Sequence, residues 1–444
     1  MGPEQGEWLK RLEADYDNLC SVMEACRTEE AGADVGMRLV GAVFRYWQIR
    51  GRFHEGRAFV VSVLSQTQAQ ERTTLRARTL FLSAAFAFEQ EDYVAAWGWL
   101  EESLAIRKEL GEERGMAAAQ NLMGLVAYSR GDYATAQALY GECLEVRRRL
   151  GDRPGIAQAL NNLGLVAYDQ GDYPAARSFY VESLAVFRES GDKRSIATTL
   201  MNLGNAASRQ GHYDSARAFQ EECLLIRRDL GDRLGMAWAL TSLGNIAREQ
   251  ADYSAAHALY QEGMSLFREL EDQAGIAAVL GNLGFTARSK GDHKEARGYL
   301  TESLHIVREL GQKQAIAGLL SDLGPLAIEE GDLKRAHGYL SECLALCQEM
   351  QDTFHACYAL EGSAELARAR GQSFCAAKLL GAAQTLRGQI GTPLPPNEQR
   401  RYDALLELLR STLGPDTFTA AFTEGKVLSW QQAMAYAQEM LSAS

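Results

Sequence analysis

The 444-residue sequence lacks an apolar run of about 18 residues, the length that a membrane-spanning helix needs. It also lacks an excess of basic residues, since 46 Lys and Arg face 58 Asp and Glu and the formal net charge is −12. Binding of nucleic-acid phosphates needs a basic face. No basic stretch with an apolar segment opens the sequence, so no signal peptide is expected. We therefore expect a cytoplasmic protein with no direct nucleic-acid or membrane contact.

Motifs for nucleotide, metal or disulfide chemistry are missing too. The Gly425-Lys426 pair lacks the upstream glycine and the following hydroxyl residue of a phosphate-binding loop, and none of the 7 histidines lies in a His-Glu-x-x-His pattern. The 8 cysteines show no Cys-x-x-Cys spacing, which predicts free thiols. Adjacent glutamates recur in register from repeat to repeat and indicate a solvated helix face. We expect no enzyme activity, no cofactor and no metal site.

The dominant feature that is present is a repeat of 40 residues. A short turn motif, Gly-Asp-Tyr in its commonest form, recurs at this spacing and begins at Gly131, Gly171, Gly211, Ala251, Gly291 and Gly331. A fixed period in this range is typical of a solenoid, in which helical units bury their apolar faces against their neighbours. The predicted fold class is all-α, a superhelical solenoid of antiparallel helix pairs with helical caps at both ends.

Residues 153–190 show how one unit is built. Apolar residues recur at helical spacing up to Ala167, and Gly171 and Asp172 then supply a left-handed turn residue and an N-cap for the second helix. Glycine within a helix costs about 1 kcal/mol, so a glycine column inside the first helices needs a packing reason, namely a close approach of the paired helices. The glycine column consists of Gly124, Gly164, Gly204, Gly244, Gly284 and Gly324. An alanine column accompanies it at Ala96, Ala136, Ala176, Ala216, Ala256, Ala296, Ala336 and Ala376.

These columns, with Leu163 before the glycine and Tyr180 after the alanine, resemble the tetratricopeptide repeat in a form with 40 rather than 34 residues. The resemblance runs from about residue 72 to 390. We expect three regions: residues 1–70 with an N-terminal helix and an atypical helix pair, residues 71–390 with the repeat array, and residues 391–444 with a C-terminal helical cap. Pro393, Pro395 and Pro396 should break the chain before cap helices near Glu398–Leu413, Asp416–Glu424 and Ser429–Leu441.

Some repeats depart from the pattern. The turn glycine is replaced at Ala251, Glu271 and Gln351, which indicates either a soft point between repeats or ordinary sequence drift. Pro325 falls inside a first helix, where its missing N–H should bend the helix.

Beside the glycine column, the exposed stripe of the first helices is rich in asparagine. An asparagine ladder can pair with successive peptide groups of an extended chain, because each amide carries a donor and an acceptor. The Leu-Gly-Asn runs at Leu203–Asn205 and Leu243–Asn245 resemble those of the kinesin light chain and spindle-orientation repeat proteins, a resemblance that implies peptide binding. Alternatively, the amides order the stack by bonding neighbouring helices. The candidate site residues are Asn162, Asn202, Asn205, Asn245, Asn282, Trp238, Arg248, Arg288, Tyr128 and Tyr168.

The two ends carry a second resemblance. Trp8–Leu19, Tyr46-Trp47 and Gly51–Arg57 resemble the segment that follows the ATPase part of bacterial signal-transducing regulators, and Leu379–Ala383, Pro393–Pro396 and Phe422–Ser429 resemble the usual C-terminus of those proteins, among them LuxR-type and NB-ARC-type transcription regulators. The resemblance implies a ligand-sensing repeat region with two partners, a peptide or protein effector and an attached or separate ATPase module. The sequence itself contains neither a nucleotide-binding nor a DNA-binding motif. A free-standing scaffold without a ligand-driven switch is the alternative, and a hydrolase or phosphatase is a third.

Overall fold

The computed structural model describes residues 5–28, 32–66, 70–390, 394 and 396–442. Within these ranges it contains 23 α-helices and no strand, which confirms the all-α fold class. The helices are α1 Gln5–Ala14, α2 Tyr16–Thr28, α3 Gly32–Ile49, α4 Phe53–Leu64, α5 Thr74–Glu89, α6 Tyr93–Leu110, α7 Glu113–Ser129, α8 Tyr133–Arg149, α9 Arg153–Asp169, α10 Tyr173–Ser190, α11 Lys193–Arg209, α12 Tyr213–Asp229, α13 Arg233–Glu249, α14 Tyr253–Glu269, α15 Gln273–Ser289, α16 His293–Glu309, α17 Lys313–Glu329, α18 Leu333–Met350, α19 Thr353–Ala369, α20 Ser373–Ile390, α21 Pro396–Leu413, α22 Pro415–Lys426 and α23 Trp430–Ser442.

The chain forms two compact units. The first runs to Ala167 and includes Ser178–Gly191, and the second comprises Tyr168–Arg177 and the residues from Asp192 onward. In each unit consecutive antiparallel helices pack as pairs, for example α7 with α8 in the first and α13 with α14 in the second. This is the solenoid arrangement that the 40-residue period predicts.

The turns between paired helices have the conformation that the sequence predicts. Gly171 has a φ of +79°, and the Asp172 side chain accepts a hydrogen bond of 3.0 Å from the backbone N–H of Ala175. The same chemistry recurs at Gly131, with a φ of +75°, where Asp132 accepts from Thr135 at 3.1 Å. Each turn thus ends one helix with a left-handed residue and begins the next with a side-chain cap.

In the part of the chain that the structure describes, four turns take the left-handed conformation without glycine. Ala251, Glu271 and Gln351 have φ values of +61°, +54° and +57°, and Glu91 has a φ of +58°. A residue with a Cβ in this region costs on the order of 1 kcal/mol, so the fold imposes the turn where the sequence does not favour it. Whether the turns near residues 251–271 act as a hinge stays a prediction.

The two columns of small residues lie where paired helices meet. A Cβ added at Gly124 would stand 2.6 Å from a ring carbon of Tyr140, and one added at Gly284 would stand 2.6 Å from Leu300 Cγ. Ala136 and Ala296, from the alanine column, are fully buried. The predicted reason for these columns, a close approach of the paired helices, is therefore confirmed.

A third column links the second helix of a pair to the backbone of the first. Its members include buried Ser103, Cys143, Ser183, Ser303 and Cys343. Each donates a hydrogen bond of 2.7 to 3.3 Å to a carbonyl 26 residues earlier, at Ala77, Ala117, Ala157, Ala277 and Ala317. The structure describes all 8 cysteines as thiols outside disulfide bonds.

The helices outside the regular array join its core. Residues 5–28 form two helices rather than the single predicted one, and α3 and α4 form the expected atypical pair, in which Trp47 and Phe59 are fully buried. At the other end, Leu409 of α21 and Met434 of α23 are fully buried in the same apolar cluster as the last repeats. The three cap helices begin and end close to their predicted positions. The predicted chain break at Pro393 and Pro395 lies outside the described residues, and the three-region division stays a prediction.

Two further sequence features can be located. Pro325 is buried inside α17, which continues to Glu329, and the predicted bend at this proline stays a prediction. In the described part of the chain, none of the helices combines the length and the apolarity that crossing a membrane requires.

The Gly124 contact gives a stability test. Gly124→Ala places a methyl group against the Tyr140 ring, and we expect it to lower the free energy of unfolding by about 1–3 kcal/mol. Gly141, in the paired helix α8, is the matched control, because a Cβ there meets nothing within 4 Å. Gly141→Ala should stabilise the chain by about 0.5–1 kcal/mol through helix propensity. Thermal unfolding followed by circular dichroism measures both, and equal melting temperatures of the two variants would contradict the packing explanation.

Candidate functional site

A groove of about 1060 Å³ lies in the second unit. Most of its wall is formed by the first helices of four successive pairs, α13, α15, α17 and α19, and part of it by Leu394 and one side of α21. First helices lie side by side in a stack of pairs, so equivalent positions 40 residues apart come together in one wall. This places the predicted stripe of the first helices along the groove.

Five of the ten candidate residues line the groove: Trp238, Asn245, Arg248, Asn282 and Arg288. The indole of Trp238 contacts the Phe267 ring edge to face, with 4.9 Å between ring centroids. The Arg248 guanidinium lies 5.3 Å from the centroid of the Phe285 ring, which also lines the groove. The wall therefore offers aromatic, amide and cationic groups within one cavity.

The other five candidates lie outside this groove. Tyr128 and Asn162 belong to the first unit, where Asn162 donates a 3.1 Å hydrogen bond to Asn121. Tyr168, Asn202 and Asn205 belong to the second unit but do not line its groove. The Tyr168 hydroxyl accepts a hydrogen bond of 3.2 Å from Arg209 Nε. A binding role of these five residues stays a prediction.

The asparagine amides divide between internal bonding and exposure to the groove. The Asn205 side-chain oxygen accepts a 3.0 Å bond from Gln220, and that of Asn245 accepts a 2.7 Å bond from the Tyr260 hydroxyl. Asn282 differs, because among the described residues the structure gives its side-chain amide no hydrogen-bond partner. Asn162, Asn205 and Asn245 bond neighbouring residues, as the stack-ordering alternative expects. Asn282 faces the cavity, and a binding role for it stays a prediction.

Ion pairs cross the groove wall. Glu329 of α17 binds Arg288 of α15 at 2.9 Å and Arg401 of α21 at 2.8 Å. Burial works against the charged carboxylate, but the hydrogen bond and positive charge of Arg288 hold the pKa of Glu329 below its usual value. Glu361, which also lines the groove, forms a two-bond pair with Arg387 at 2.6 and 2.8 Å. These two glutamates are fully matched by arginines.

Three further carboxyls of the groove are poorly matched, and we name Asp322, Glu365 and Glu398 the acid cluster. Burial raises the pKa of Asp322 to about 8, and the Glu398 charge adds to this effect against the opposing charges of Arg288, Arg248 and Arg401. Burial also raises the pKa of Glu365 and of Glu398.

Sequence reasoning missed the acid cluster and the contribution of α21. Asp322 occupies the same repeat position as Asn282, two residues before the glycine column, and that register could have identified it. Arg401 lies 72 residues after its partner Glu329, outside the repeat, so no periodic signal places it in the groove. The stripe of first-helix residues that the sequence predicts to be exposed is therefore bounded on one side by the protein's own C-terminal region.

The paired helices, the small-residue columns and the groove on the first helices define a helical-repeat protein. The tetratricopeptide repeat model matches residues 115–189, 195–269 and 275–349, together just over half of the chain. The chain belongs to the tetratricopeptide repeat family. None of the curated protein sequences compared matches it.

Several solved structures share the fold at low sequence identity. A Rap protein complexed with competence and sporulation factor is 14% identical, with 81% of this chain and 98% of that chain covered and a TM-score of 0.60. Aspartyl phosphate phosphatase F from Bacillus subtilis is 13% identical, with coverages of 80% and 90% and a TM-score of 0.55. The Rap conjugation gene regulator of plasmid pLS20, in complex with the Phr* peptide, is 15% identical, with coverages of 70% and 96% and a TM-score of 0.51. At these identities the likeness concerns the fold alone.

The raised pKa of Asp322 predicts a pH dependence of stability. The folded chain holds a proton at Asp322 up to about pH 8, whereas the unfolded chain releases it near the ordinary value of 3.8. The folded state therefore binds more protons between these values, and this residue's contribution to stability falls as the pH rises from about 4 to 8.

Asp322→Asn removes that titration and should make the decrease of stability with rising pH less steep. Denaturant unfolding of both proteins between pH 5 and pH 9 measures it, and the variant should gain stability relative to the wild type toward the upper end. Asp403→Asn, on α21 and outside the groove lining, is a control for a general charge effect. Parallel pH profiles of the wild type and Asp322→Asn would contradict the assignment.

Proposed function

We propose that the chain is a non-catalytic module that binds an extended peptide or protein segment in the groove of its second unit. The observation that carries the proposal is the Asn282 amide, which faces a groove of about 1060 Å³ and has no partner among the described residues. An extended chain brings backbone donors and acceptors at regular intervals, and such an amide can bond both kinds. Trp238 and Phe285 add apolar surface for side chains of the bound segment.

The finer proposal is a ligand-sensing region of a cytoplasmic bacterial signal-transducing ATPase or transcription regulator. It is supported by the resemblance of both chain ends to such regulators, and its partner would be an attached or separate ATPase module. Two of the structurally similar proteins were solved with competence and sporulation factor or with the Phr* peptide, which is consistent with a peptide effector. In this proposal the effector binds one shape of the module better than another and so changes the state of the ATPase.

Peptide binding can be tested by selection from a randomised decapeptide library on the immobilised full chain. The selected peptide is then titrated into the wild type, Asn282→Ala and Trp238→Ala by calorimetry. We expect each substitution to weaken binding about tenfold, because one charge-neutral hydrogen bond or a buried aromatic contact contributes about 1–1.5 kcal/mol.

Gln273→Ala is the matched control for these variants. Gln273 carries an amide on the same helix α15 as Asn282, but it is exposed and does not line the groove. Its affinity for the selected peptide should equal that of the wild type. Failure to enrich any peptide, or equal affinities of wild type, Asn282→Ala and Trp238→Ala, would rule out the groove as the binding site.

A ligand-sensing module changes shape when it binds its peptide, whereas a free-standing scaffold does not. We expect the small-angle scattering profile of the full chain to change when the selected peptide is added at saturation, since a ligand shifts a conformational equilibrium only by its differential affinity for the two states. The Asn282→Ala variant at the same peptide concentration is the control. Superimposable profiles with and without bound peptide would favour the free-standing scaffold.

A further inference from the structure

The α21 side of the groove contains more carboxyls than cations to match them. Glu329 and Glu361 each form close ion pairs with an arginine of a repeat helix. The acid cluster has weaker ion pairing. Glu365 lies 3.5 Å from Arg401, and that arginine is also 2.8 Å from Glu329.

The remaining two carboxyls of the acid cluster have no direct partner among the residues that the structure describes. Within the described ranges the structure shows neither a hydrogen bond nor an ion pair to Asp322. The Glu398 Oε2 atom is buried and likewise has no hydrogen-bond partner there. Buried polar atoms are ordinarily bonded, so an orphaned carboxylate oxygen in a cavity offers an acceptor to a donor from outside the chain.

An organic cation suits the unbonded carboxyls of the acid cluster better than a metal ion does. Among the described residues, no three or more His, Cys, Asp or Glu side chains stand close enough together to hold a metal. A guanidinium group carries five N–H donors in a planar fork and can serve carboxylates that are spread over a wider area.

We propose that the acid cluster is a subsite for a cationic side chain of the bound peptide, best filled by arginine. The inference rests on the proposed peptide binding and adds the charge of the ligand to it. The groove contributes the amide of Asn282 and the aromatic rings to the rest of the peptide, and the lining that receives its guanidinium contains Asp322, Glu365 and Glu398. Burial raises the pKa of each of these carboxyls, and a bound cation would reverse that effect.

Arg401 is the internal competitor for this subsite. Its side chain is about half exposed, comes from α21 rather than from a repeat, and bonds Glu329 and Glu365 across the groove. A peptide arginine entering the subsite therefore meets carboxylates that Arg401 already partly neutralises. Removal of Arg401 should strengthen the binding of a cationic peptide, whereas removal of the carboxyls should weaken it.

The experiment uses two pools of fluorescein-labelled random decapeptides that differ at one fixed central position. One pool carries arginine there, and the other carries citrulline, which has the same shape without the charge. Fluorescence anisotropy at 150 mM salt, about physiological ionic strength, measures the binding of each pool to the full chain. We expect the arginine pool to bind at least about tenfold tighter, the range for hydrogen bonds between charged groups.

Three variants locate the preference. In Asp322→Asn/Glu365→Gln the arginine preference should fall several-fold, and in Arg401→Gln it should rise. The rise cannot result from misfolding, so it keeps the proposal testable if the double variant proves unstable in circular dichroism. Glu407→Gln removes an exposed carboxylate on the same helix α21, outside the groove, and should leave the preference unchanged. It controls for the general attraction of cations to a chain of net charge −12.

The outcomes separate the two proposals. Equal binding of the arginine and citrulline pools overturns the cation subsite and leaves peptide binding standing. An arginine preference that Asp322→Asn/Glu365→Gln and Glu407→Gln change equally also overturns it, since the attraction is then general. Absence of binding by either pool overturns the proposed function and this inference together.

Discussion

The close approach of paired helices is the constraint on which the rest of the structure depends. At Gly124 and Gly284 the facing side chains, Tyr140 and Leu300, occupy the space where a Cβ would stand. Interiors packed this tightly transmit small changes in volume, so the columns fix the separation of the two helices in the pairs that carry them. Equivalent residues of successive first helices then fall in line, and the groove of the second unit results from this repetition.

Polar groups reinforce the same geometry. The hydroxyl or thiol column joins second helices to carbonyls 26 residues earlier, and the aspartate caps begin second helices immediately after their turns. These bonds satisfy groups that helix ends and buried side chains would otherwise leave unpaired. The array tolerates left-handed alanine, glutamate and glutamine at a few turns because so many neighbouring contacts hold the chain in place.

The periodic part of the structure could be predicted from sequence, because period, turn chemistry and small-residue columns are local properties. These properties identified the helix pairs and the left-handed conformation of Gly171. They also identified the stripe of the first helices to which the groove residues Trp238 and Asn282 belong. Whether an asparagine amide is bonded internally or exposed to the groove depends on which side chain lies next to it in the folded chain. Gln220 stands where Tyr140 and Tyr260 stand in other repeats, and its amide engages Asn205.

The non-periodic part of the site was beyond sequence reasoning. The C-terminal helices were identified with nearly correct bounds, but their docking against particular repeats is a tertiary property with no signature in the spacing of residues. That docking brings Arg401 and Glu398 into the groove, and the imbalance of charge in the groove follows from it. An alignment of the repeats alone would predict a groove lined only by repeat helices, whereas α21 forms part of its lining.

The position of Arg401 gives the groove a property that a plain stack of repeats would not have. In such a stack each unit contacts mainly its neighbours, so the size and the charge of an inner surface vary independently. Here one side chain of α21 both narrows the cavity and neutralises Glu329 and Glu365. Any event that lifts the first turns of α21 from the repeats would therefore widen the groove and make it more acidic in a single step, coupling its shape to its electrostatic potential.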